Sequence, residues 1–189
     1  MEIRELKIGE MEQIYDTYLV KDFPKDERKP FGTIRRIYEE GLYRGLGFYE
    51  TGQMKAYAFL CDDIQREFCL LDYYAVLDGL RGKGFGQKAM ARLREFCTDR
   101  TGLIIESENP AFAKGEEDRS VRERRIAFYE KCGLRLTQVR GMAFGVEYKI
   151  LYAPCKSTAD DERVGKALSQ IYRMLVPEPA HSKYIRISF

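Results

Sequence analysis

The sequence predicts a mixed domain, α+β or α/β in class, in which helices flank one central sheet. Runs with the alternating or continuously apolar pattern of strands recur between segments of helical spacing along the whole chain. Hydrophobic residues make up 44% of the 189 residues, so one domain can bury a substantial core. The sequence contains no internal repeat or low-complexity segment. We therefore expect residues 1–189 to form a single domain.

The first half of the chain predicts a strand, two helices, a hairpin and a buried strand. Its helices carry apolar residues at helical spacing, and Thr51-Gly52 is typical of the turn of a β-hairpin. In order, we expect a strand in MEIRELKI, a helix in EMEQIYDTYLV, a loop in KDFPKDERKPF, a short helix in TIRRIYEEGL, a hairpin from GLGFYE and QMKAYAFLCD, and a central strand in FCLLDYYAVL.

The second half predicts a helix, a strand, a second helix, a hairpin and a closing helix and strand. Ser120 and Glu123 fit a capping box at the start of the second helix, and Gly133 fits its C-terminal cap. In order, we expect a helix in GQKAMARLREFCTDR, a strand in LIIESE, a loop in PAFAKGEEDR, a helix in SVRERRIAFYEKCGL, an antiparallel pair from LRLTQVRGMAF and GVEYKILYAP, an amphipathic helix in DERVGKALSQIYRMLV, and a strand in KYIRISF.

Composition excludes several functional classes. Lys and Arg total 32 against 30 for Asp and Glu, which argues against a nucleic-acid surface. The five cysteines are odd in number and widely spaced, so we expect reduced cytoplasmic thiols, with no disulfide framework and no metal. The charged N-terminus is unlike a signal peptide, and no apolar run is long enough to span a membrane. His181 is the single histidine, which argues against a Ser-His-Asp triad.

The loop RGKGFG, from Arg81 to Gly86, lies between a predicted strand and a predicted helix. The first amides of a helix have no partner within it and carry the positive end of its dipole, so such a loop can bind a phosphate. Arg81, Lys83 and Lys88 would add positive charge. The alternative is a tight turn that only connects the two elements. The spacing does not fit a Walker A loop.

A dinucleotide-binding fingerprint is a competing interpretation of the same loop. Gly84, Gly86 and Ala89 fit G-x-G-x-x-A, and Glu106 and Glu108 follow about 20 residues later, where an acid would bind a ribose. Against this interpretation, the first glycine does not follow its strand directly. The predicted order of elements also begins with helices and a hairpin. An oxidoreductase using a dinucleotide therefore remains an alternative.

The segment YYAVLDGLRGKGFGQKAMARL resembles the acyl-CoA-binding motif of the GNAT superfamily of N-acetyltransferases. That motif places Arg or Gln, then Gly, then Gly or Ala at fixed spacing after a strand ending in Ala-Val. Arg81, Gly84 and Gly86 occupy the three positions here, and Ala75-Val76 precede them. The resemblance implies a twisted, mostly antiparallel sheet, flanked by helices and splayed where acetyl-CoA binds.

A second segment, RRIAFYEKCGL, is similar to the family's helix with a Phe-Tyr pair before Glu-Lys-x-Gly. In order of elements, the resemblance covers about residues 1–153. It is specific over 70–90 and 122–134. Residues 154–189 would form a C-terminal extension of unassigned role.

The resemblance also implies which residues contact acetyl-CoA. The pantetheine arm would pair with the backbone of the central strand, and the pyrophosphate would meet the amides of the glycine loop. Many family members have Asn seven residues before the tyrosine, where this chain has Arg122; Asn109 is an uncertain substitute. The implied cofactor-binding residues are Ala75, Val76, Leu77, Arg81, Gly82, Lys83, Gly84, Phe85, Gly86, Gln87 and Asn109.

Acetyl transfer to an amine needs a base, an oxyanion donor and an acid for the leaving thiolate. The resemblance implies that Tyr129 is the acid, whereas its spacing alone also fits simple packing. Asp72, Glu106 and Glu108 are the candidate bases, and the period of two puts Asp72 on one face with Leu70, Tyr74 and Val76. Phe128 and Cys132 are expected in the core.

We expect direct attack of an amine on acetyl-CoA in a ternary complex. The alternatives are the dinucleotide-dependent oxidoreductase and a non-catalytic CoA-binding sensor domain. The acceptor is a small-molecule or peptide amine, which we expect the first two helices, their loop and the C-terminal hairpin to select. The chain can act alone or as a homodimer, and we expect no nucleic-acid or membrane partner.

Overall fold

A single open sheet of eight strands forms the centre of the molecule. We describe it from a computed structural model of residues 1–189, in which every residue is described except the side chain of Asp26. The strands are β1 (Glu2–Leu6), β2 (Tyr43–Glu50), β3 (Gln53–Asp62), β4 (Phe68–Val76), β5 (Gly102–Glu108), β6 (Arg135–Ala143), β7 (Val146–Pro154) and β8 (Ile185–Ser188).

The strand order across the sheet is β1-β2-β3-β4-β5-β7-β6-β8. All neighbouring strands are antiparallel except β4 and β5, which are parallel. A doubly wound dinucleotide-binding sheet is mostly parallel, so this topology does not support the oxidoreductase alternative. The predicted mixed fold with one mostly antiparallel sheet is confirmed.

Helices cover both faces of the sheet. The first helix continues from α1 through a π-helical segment, Tyr15–Leu19, and short 3-10 turns lie at Lys25–Glu27 and Pro110–Phe112. No helix in the described part of the chain has the length and apolarity to cross a bilayer. The α-helices are α1 (Ile8–Ile14), α2 (Val20–Asp22), α3 (Phe31–Glu39), α4 (Phe85–Phe96), α5 (Glu116–Lys131), α6 (Asp161–Leu175) and α7 (Ala180–Tyr184).

Two hydrophobic cores lie on opposite faces of the sheet. One core contains buried residues of α1, α3 and α6, and we call this side the α6 face. The other contains buried residues of α4 and α5, and we call this side the α5 face. The predicted amphipathic helix near the C-terminus is confirmed as α6, and its apolar side is an integral part of the first core.

A β-bulge at Asp72 changes which side chains of β4 share a face. Tyr73 pairs with Phe59 and Leu71 pairs with Leu60, so Asp72 is an extra residue with no counterpart on β3. Leu70 packs in the core of the α6 face, whereas Tyr74 packs on the α5 face. The expectation that Leu70, Asp72, Tyr74 and Val76 share one face is therefore wrong, because it assumed an uninterrupted period of two.

The strands β4 and β5 separate at this bulge. Their parallel pairing runs only from Phe68 with Gly102 to Leu71 with Ile105. Beyond Leu71, the edge of β4 that faces β5 has no strand partner, although its other edge stays paired with β3 up to Val76. A bulge bends and twists its strand, which accounts for the divergence. The predicted splay of the sheet is thus present between β4 and β5.

The start of α5 differs from the prediction. The helix begins at Glu116, with Gly115 as its N-cap, so Ser120 lies inside it and the predicted capping box is wrong. Three acidic residues in the first turn, Glu116 to Asp118, favour this earlier start because they interact with the positive end of the helix dipole. The predicted C-terminal cap is confirmed, since Gly133 has φ of +86°.

Candidate active site

One cavity of about 1130 Å³ occupies the splay between β4 and β5. It is lined on the α5 face by residues such as Val76 and Tyr129, and on the α6 face by residues such as Tyr73 and Tyr172. Single-ligand pockets commonly measure about 300–1,000 Å³. The cavity thus reaches both faces of the sheet and has room for two substrates.

The glycine loop forms one end of the cavity and leads directly into α4. Gly82 and Gly84 have φ of +77° and +80°, a conformation that glycine adopts without strain, and Gly84 is the N-cap of α4. A Cβ atom at Gly86 would lie 3.3 Å from the ring of Phe128. The loop therefore presents backbone rather than side chains, and the first amides of α4 are available to an anion.

The structure brings most of the predicted acetyl-CoA residues to the cavity wall. Arg81 lies there while bonded to Asp22 at 2.8 Å. Leu77, Lys83, Phe85 and Asn109 do not line the cavity, and Lys83 instead donates to the carbonyl of Gly79. The predicted residues on the wall are Ala75, Val76, Arg81, Gly82, Gly84, Gly86 and Gln87.

Asn109 and Arg122 join β5 to α5. The Asn109 side-chain oxygen accepts from the amide of Ala111, and the Asn109 backbone carbonyl accepts from Arg122. Arg122 is buried and also forms ion pairs with Glu108, at 2.8 Å, and with Asp118. At the family position where many members have Asn, this chain therefore has an arginine that anchors the end of β5.

Asp72 lies at the bulge with both oxygens occupied. Lys29 donates to one oxygen at 2.6 Å, and the buried Tyr43 hydroxyl donates to the other. Burial disfavours the charge of Lys29, but Asp72 and Tyr73 outweigh that effect and hold the pKa of the ammonium above its ordinary value. Asp72 thus serves as the counter-ion of Lys29, which leaves it poorly placed to accept a proton from a substrate.

Glu106 differs from Asp72 in having no cationic partner within ion-pair distance among the described residues. The Tyr172 hydroxyl lies 2.8–2.9 Å from both of its oxygens. Burial raises the pKa of Glu106 to about 7, although Lys29 and Tyr172 oppose the shift. A carboxyl group that titrates near neutral pH on a cavity wall is suited to act as a general base.

Glu108 lies on the cavity wall but is already ion-paired. Arg122 and Arg125 contact its two oxygens at 2.8 and 3.1 Å. Because guanidinium groups occupy both of its oxygens, Glu108 is a weaker candidate base than Glu106. It fixes the geometry between the end of β5 and α5.

Tyr129 lies on the α5 side of the cavity. Its hydroxyl has no hydrogen-bond partner among the described residues, and burial raises the pKa of the phenol to about 12. The group is therefore protonated at neutral pH and can donate. Phe128 also lines the cavity and packs on Tyr129 at 5.2 Å between ring centroids. Phe128 packs against the core of the α5 face, as expected, and it also lies beside Gly86 on the cavity wall.

Sequence analysis missed much of the α6 side of the cavity. The amphipathic pattern of α6 predicted a packing face but could not distinguish Tyr172, which reaches Glu106, from its core neighbours. The loop before α3 likewise supplies Lys29, whose partner Asp72 lies 43 residues further along the chain. His181 does not line this cavity and lies beside Glu178.

Comparison with known proteins agrees with this geometry. The model of the acetyltransferase (GNAT) family matches residues 8–134. No similar sequence was found among curated proteins.

Three solved structures share the fold at low sequence identity. A protein described as an acetyltransferase of the GNAT family from Bacteroides thetaiotaomicron is 18% identical with a TM-score of 0.72, over 89% of this chain and 93% of that one. The ribosomal-protein-S18-alanine N-acetyltransferase from Escherichia coli is 18% identical with a TM-score of 0.60, over 85% and 96%. A Bacillus subtilis acetyltransferase in complex with CoA is 16% identical with a TM-score of 0.58, over 81% and 97%.

Proposed function

The chain belongs to the GNAT family of acetyltransferases, and on that premise we propose that it binds acetyl-CoA in the splay of its sheet and acetylates an amine directly. The observation that carries the proposal is the single cavity that joins the glycine loop, the unpaired edge of β4 and the side chains of Tyr129 and Glu106. The Escherichia coli neighbour is named for transfer to an alanine of a protein, which is also an amine acceptor.

Acetyl-CoA fits the residues of the α5 side. The pyrophosphate would accept from the amides that begin α4, where a side chain at Gly86 would crowd Phe128. The pantetheine arm would extend along the unpaired edge of β4 as an added strand. A CoA complex of the Bacillus subtilis neighbour supports the same cosubstrate class. Acetyl-CoA brings an activated thioester, so no covalent intermediate with the protein is needed.

The amine is activated by Glu106. The acceptor enters as an ammonium ion, and the Glu106 carboxylate takes one proton from it. The amine nitrogen then attacks the thioester carbonyl carbon, forming the C–N bond, while a backbone N–H near Val76 donates to the oxyanion. As the C–S bond breaks, Tyr129 donates its proton to the leaving thiolate, and the second proton of the amine restores the phenol through solvent. The products are the amide, CoA and one proton released from Glu106.

The first experiment is thermal unfolding with acetyl-CoA, with NADH and with S-adenosylmethionine, each added separately. A ligand that binds only the folded state stabilises it by about 2.7 kcal/mol at 100 times its dissociation constant. We expect acetyl-CoA alone to stabilise the protein. We expect Gly86→Leu to abolish the effect, whereas Gly9→Leu, at a glycine with open space around it, keeps it.

Release of CoA in the presence of amines then separates an enzyme from a sensor domain. Stabilisation without turnover of any amine would favour the sensor. Stabilisation by NADH in place of acetyl-CoA would overturn the proposal.

A further inference from the structure

Glu106 lies on the cavity wall and forms no ion pair with a basic side chain among the described residues. The wall carries charges of both signs, and three of its acids are already paired: Asp72 with Lys29, Asp22 with Arg81, and Glu108 with Arg125. Among the described residues, five acidic and four basic side chains line the cavity: Asp22, Glu27, Asp72, Glu106 and Glu108 against Arg28, Lys29, Arg81 and Arg125. The wall therefore has one acid in excess.

Glu106 is the acid that remains for a substrate. Among the described residues, its oxygens accept only from the neutral Tyr172 hydroxyl, and its neighbours Lys29 and Asp72 are paired with each other. A buried carboxylate is favourable when a cation and hydrogen bonds compensate its charge. One ammonium group bound at Glu106 would supply that compensation. A second positive charge on the substrate would find Asp72 already paired with Lys29.

Aromatic and aliphatic side chains make up much of the cavity lining beyond Glu106. Phe23 packs edge-on against Tyr73 at 5.1 Å, and Phe144, exposed at the β6–β7 turn, stacks on Tyr184 at 5.2 Å. The C-terminal extension supplies the remaining apolar wall. The apolar residues around the α6 side are Phe23, Tyr73, Phe144, Tyr148, Leu175 and Val176.

We infer that the acceptor is a primary monoamine on an uncharged hydrophobic body, with its ammonium at Glu106 and its body against the wall formed by the C-terminal extension. This inference rests on the proposed acetyl transfer and names its acceptor class. Polyamines do not match a wall with one acid in excess. An acceptor carrying a carboxylate beside its amine would place that charge near the Glu106 carboxylate.

The test measures binding and turnover of four probes: 2-phenylethylamine, hexylamine, spermidine and L-phenylalanine. Binding is read as the rise in unfolding temperature of the CoA-bound protein, and turnover as CoA release from acetyl-CoA. We expect both monoamines to exceed spermidine and phenylalanine at least tenfold in kcat/KM. We also expect Glu106→Gln to remove the stabilisation by the monoamines while keeping that by CoA.

A second variant tests the wall without touching the reacting groups. Phe144→Glu adds a carboxylate at an exposed position of the cavity mouth, and we expect it to shift the ratio of spermidine to phenylethylamine turnover at least fivefold towards spermidine. Phe112→Glu is the matched control, since Phe112 is similarly exposed outside the cavity. A wild-type preference for spermidine or phenylalanine, or no binding of either monoamine, would overturn the inference. Absence of CoA binding would instead overturn the proposed function and this inference with it.

Discussion

Asp72 and Glu106 are two carboxyl groups on one cavity wall whose surroundings give them different roles. Asp72 is held by Lys29 and Tyr43, whereas Glu106 is bonded only by the Tyr172 hydroxyl among the described residues. When two carboxyl groups of one site have contrasting environments, one commonly stabilises charge while the other transfers a proton. These contacts favour Glu106 of β5 over Asp72 of β4 as the proposed base.

The pH profile tests Glu106. Because the base must be deprotonated and its pKa is about 7, we expect kcat/KM for the amine to rise as pH increases through about 7. Deprotonation of the free amine would produce a second rise in the profile near pH 10, well separated from the rise near pH 7. Glu106→Gln should lose the limb near 7 and lower the rate about 100-fold. An unchanged limb in this variant would refute Glu106 as the base.

The same group gives a stability prediction that does not depend on activity. A carboxyl group whose pKa is raised on folding contributes stability below its unfolded pKa, and that contribution is lost as pH rises through the folded value. As pH rises from 5 to 8, the wild-type protein should lose this contribution and Glu106→Gln should not. The unfolding temperature of Glu106→Gln should therefore rise relative to that of wild type over this range. The exposed control Glu5→Gln should show no such trend.

Tyr129→Phe tests the acid. The hydroxyl has no partner among the described residues, so its removal leaves no buried group unsatisfied. We expect a fall in kcat of about 100-fold, the lower range for loss of a general acid, with stabilisation by acetyl-CoA unchanged. Tyr38→Phe, on α3 outside the cavity, is the matched control. Full activity of Tyr129→Phe would show that its role is packing alone.

At the scale of elements, the position of α5 depends on the buried Arg122. This side chain joins Glu108 at the end of β5 to Asp118 and to the carbonyl of Asn109. The helix itself is short of apolar residues, and only Arg122, Ile126 and Tyr129 are buried in it. The orientation of Tyr129 towards the cavity is therefore set as much by ion pairs as by hydrophobic packing.

Replacement of Arg122 by Met should destabilise the protein by about 2 kcal/mol, because the bonds to Glu108, Asp118 and the Asn109 carbonyl are lost while Glu108 keeps its pair with Arg125. Arg124→Met removes an exposed arginine of the same helix that contacts only Ser120, and should cost less than about 0.5 kcal/mol. Urea unfolding of the two variants measures the difference. Equal stabilities would show that α5 is held by packing alone.

At the scale of the whole molecule, the C-terminal extension belongs to the main core. Val164, Leu168 and Ile171 of α6 are completely buried on the α6 face together with residues of α1 and α3. The strand β8 continues the same sheet by pairing with β6. The extension therefore closes the cavity and also completes the fold.

We expect the chain to unfold as one cooperative unit. Leu168→Ala should lower the free energy of unfolding by about 3 kcal/mol, as in other buried leucine truncations, and Leu60→Ala in β3 should have a similar effect. Circular dichroism and tyrosine fluorescence should report the same single transition for both variants. A separate early transition confined to Leu168→Ala would indicate that the extension is an independent unit.

The order of helices and strands could be predicted from the sequence because it is encoded in local residue patterns. Alternation in QMKAYAFLCD, helical spacing in α6 and the glycine run before α4 each reflect contacts between near neighbours in the chain. The same local signals, with the family motif, placed the glycine loop and Tyr129 at the site. These features need no knowledge of distant partners.

Only the tertiary structure distinguishes the three candidate acids and shows which side chains line the α6 side of the cavity. Asp72, Glu106 and Glu108 are equivalent in a sequence pattern, and only their partners, Lys29, Tyr172 and the arginines of α5, distinguish them. The bulge at Asp72 could not be predicted either, because it depends on the register with β3. Burial and ion pairing depend on contacts between residues far apart in the chain. They are therefore defined only once the sheet and its covering helices have assembled.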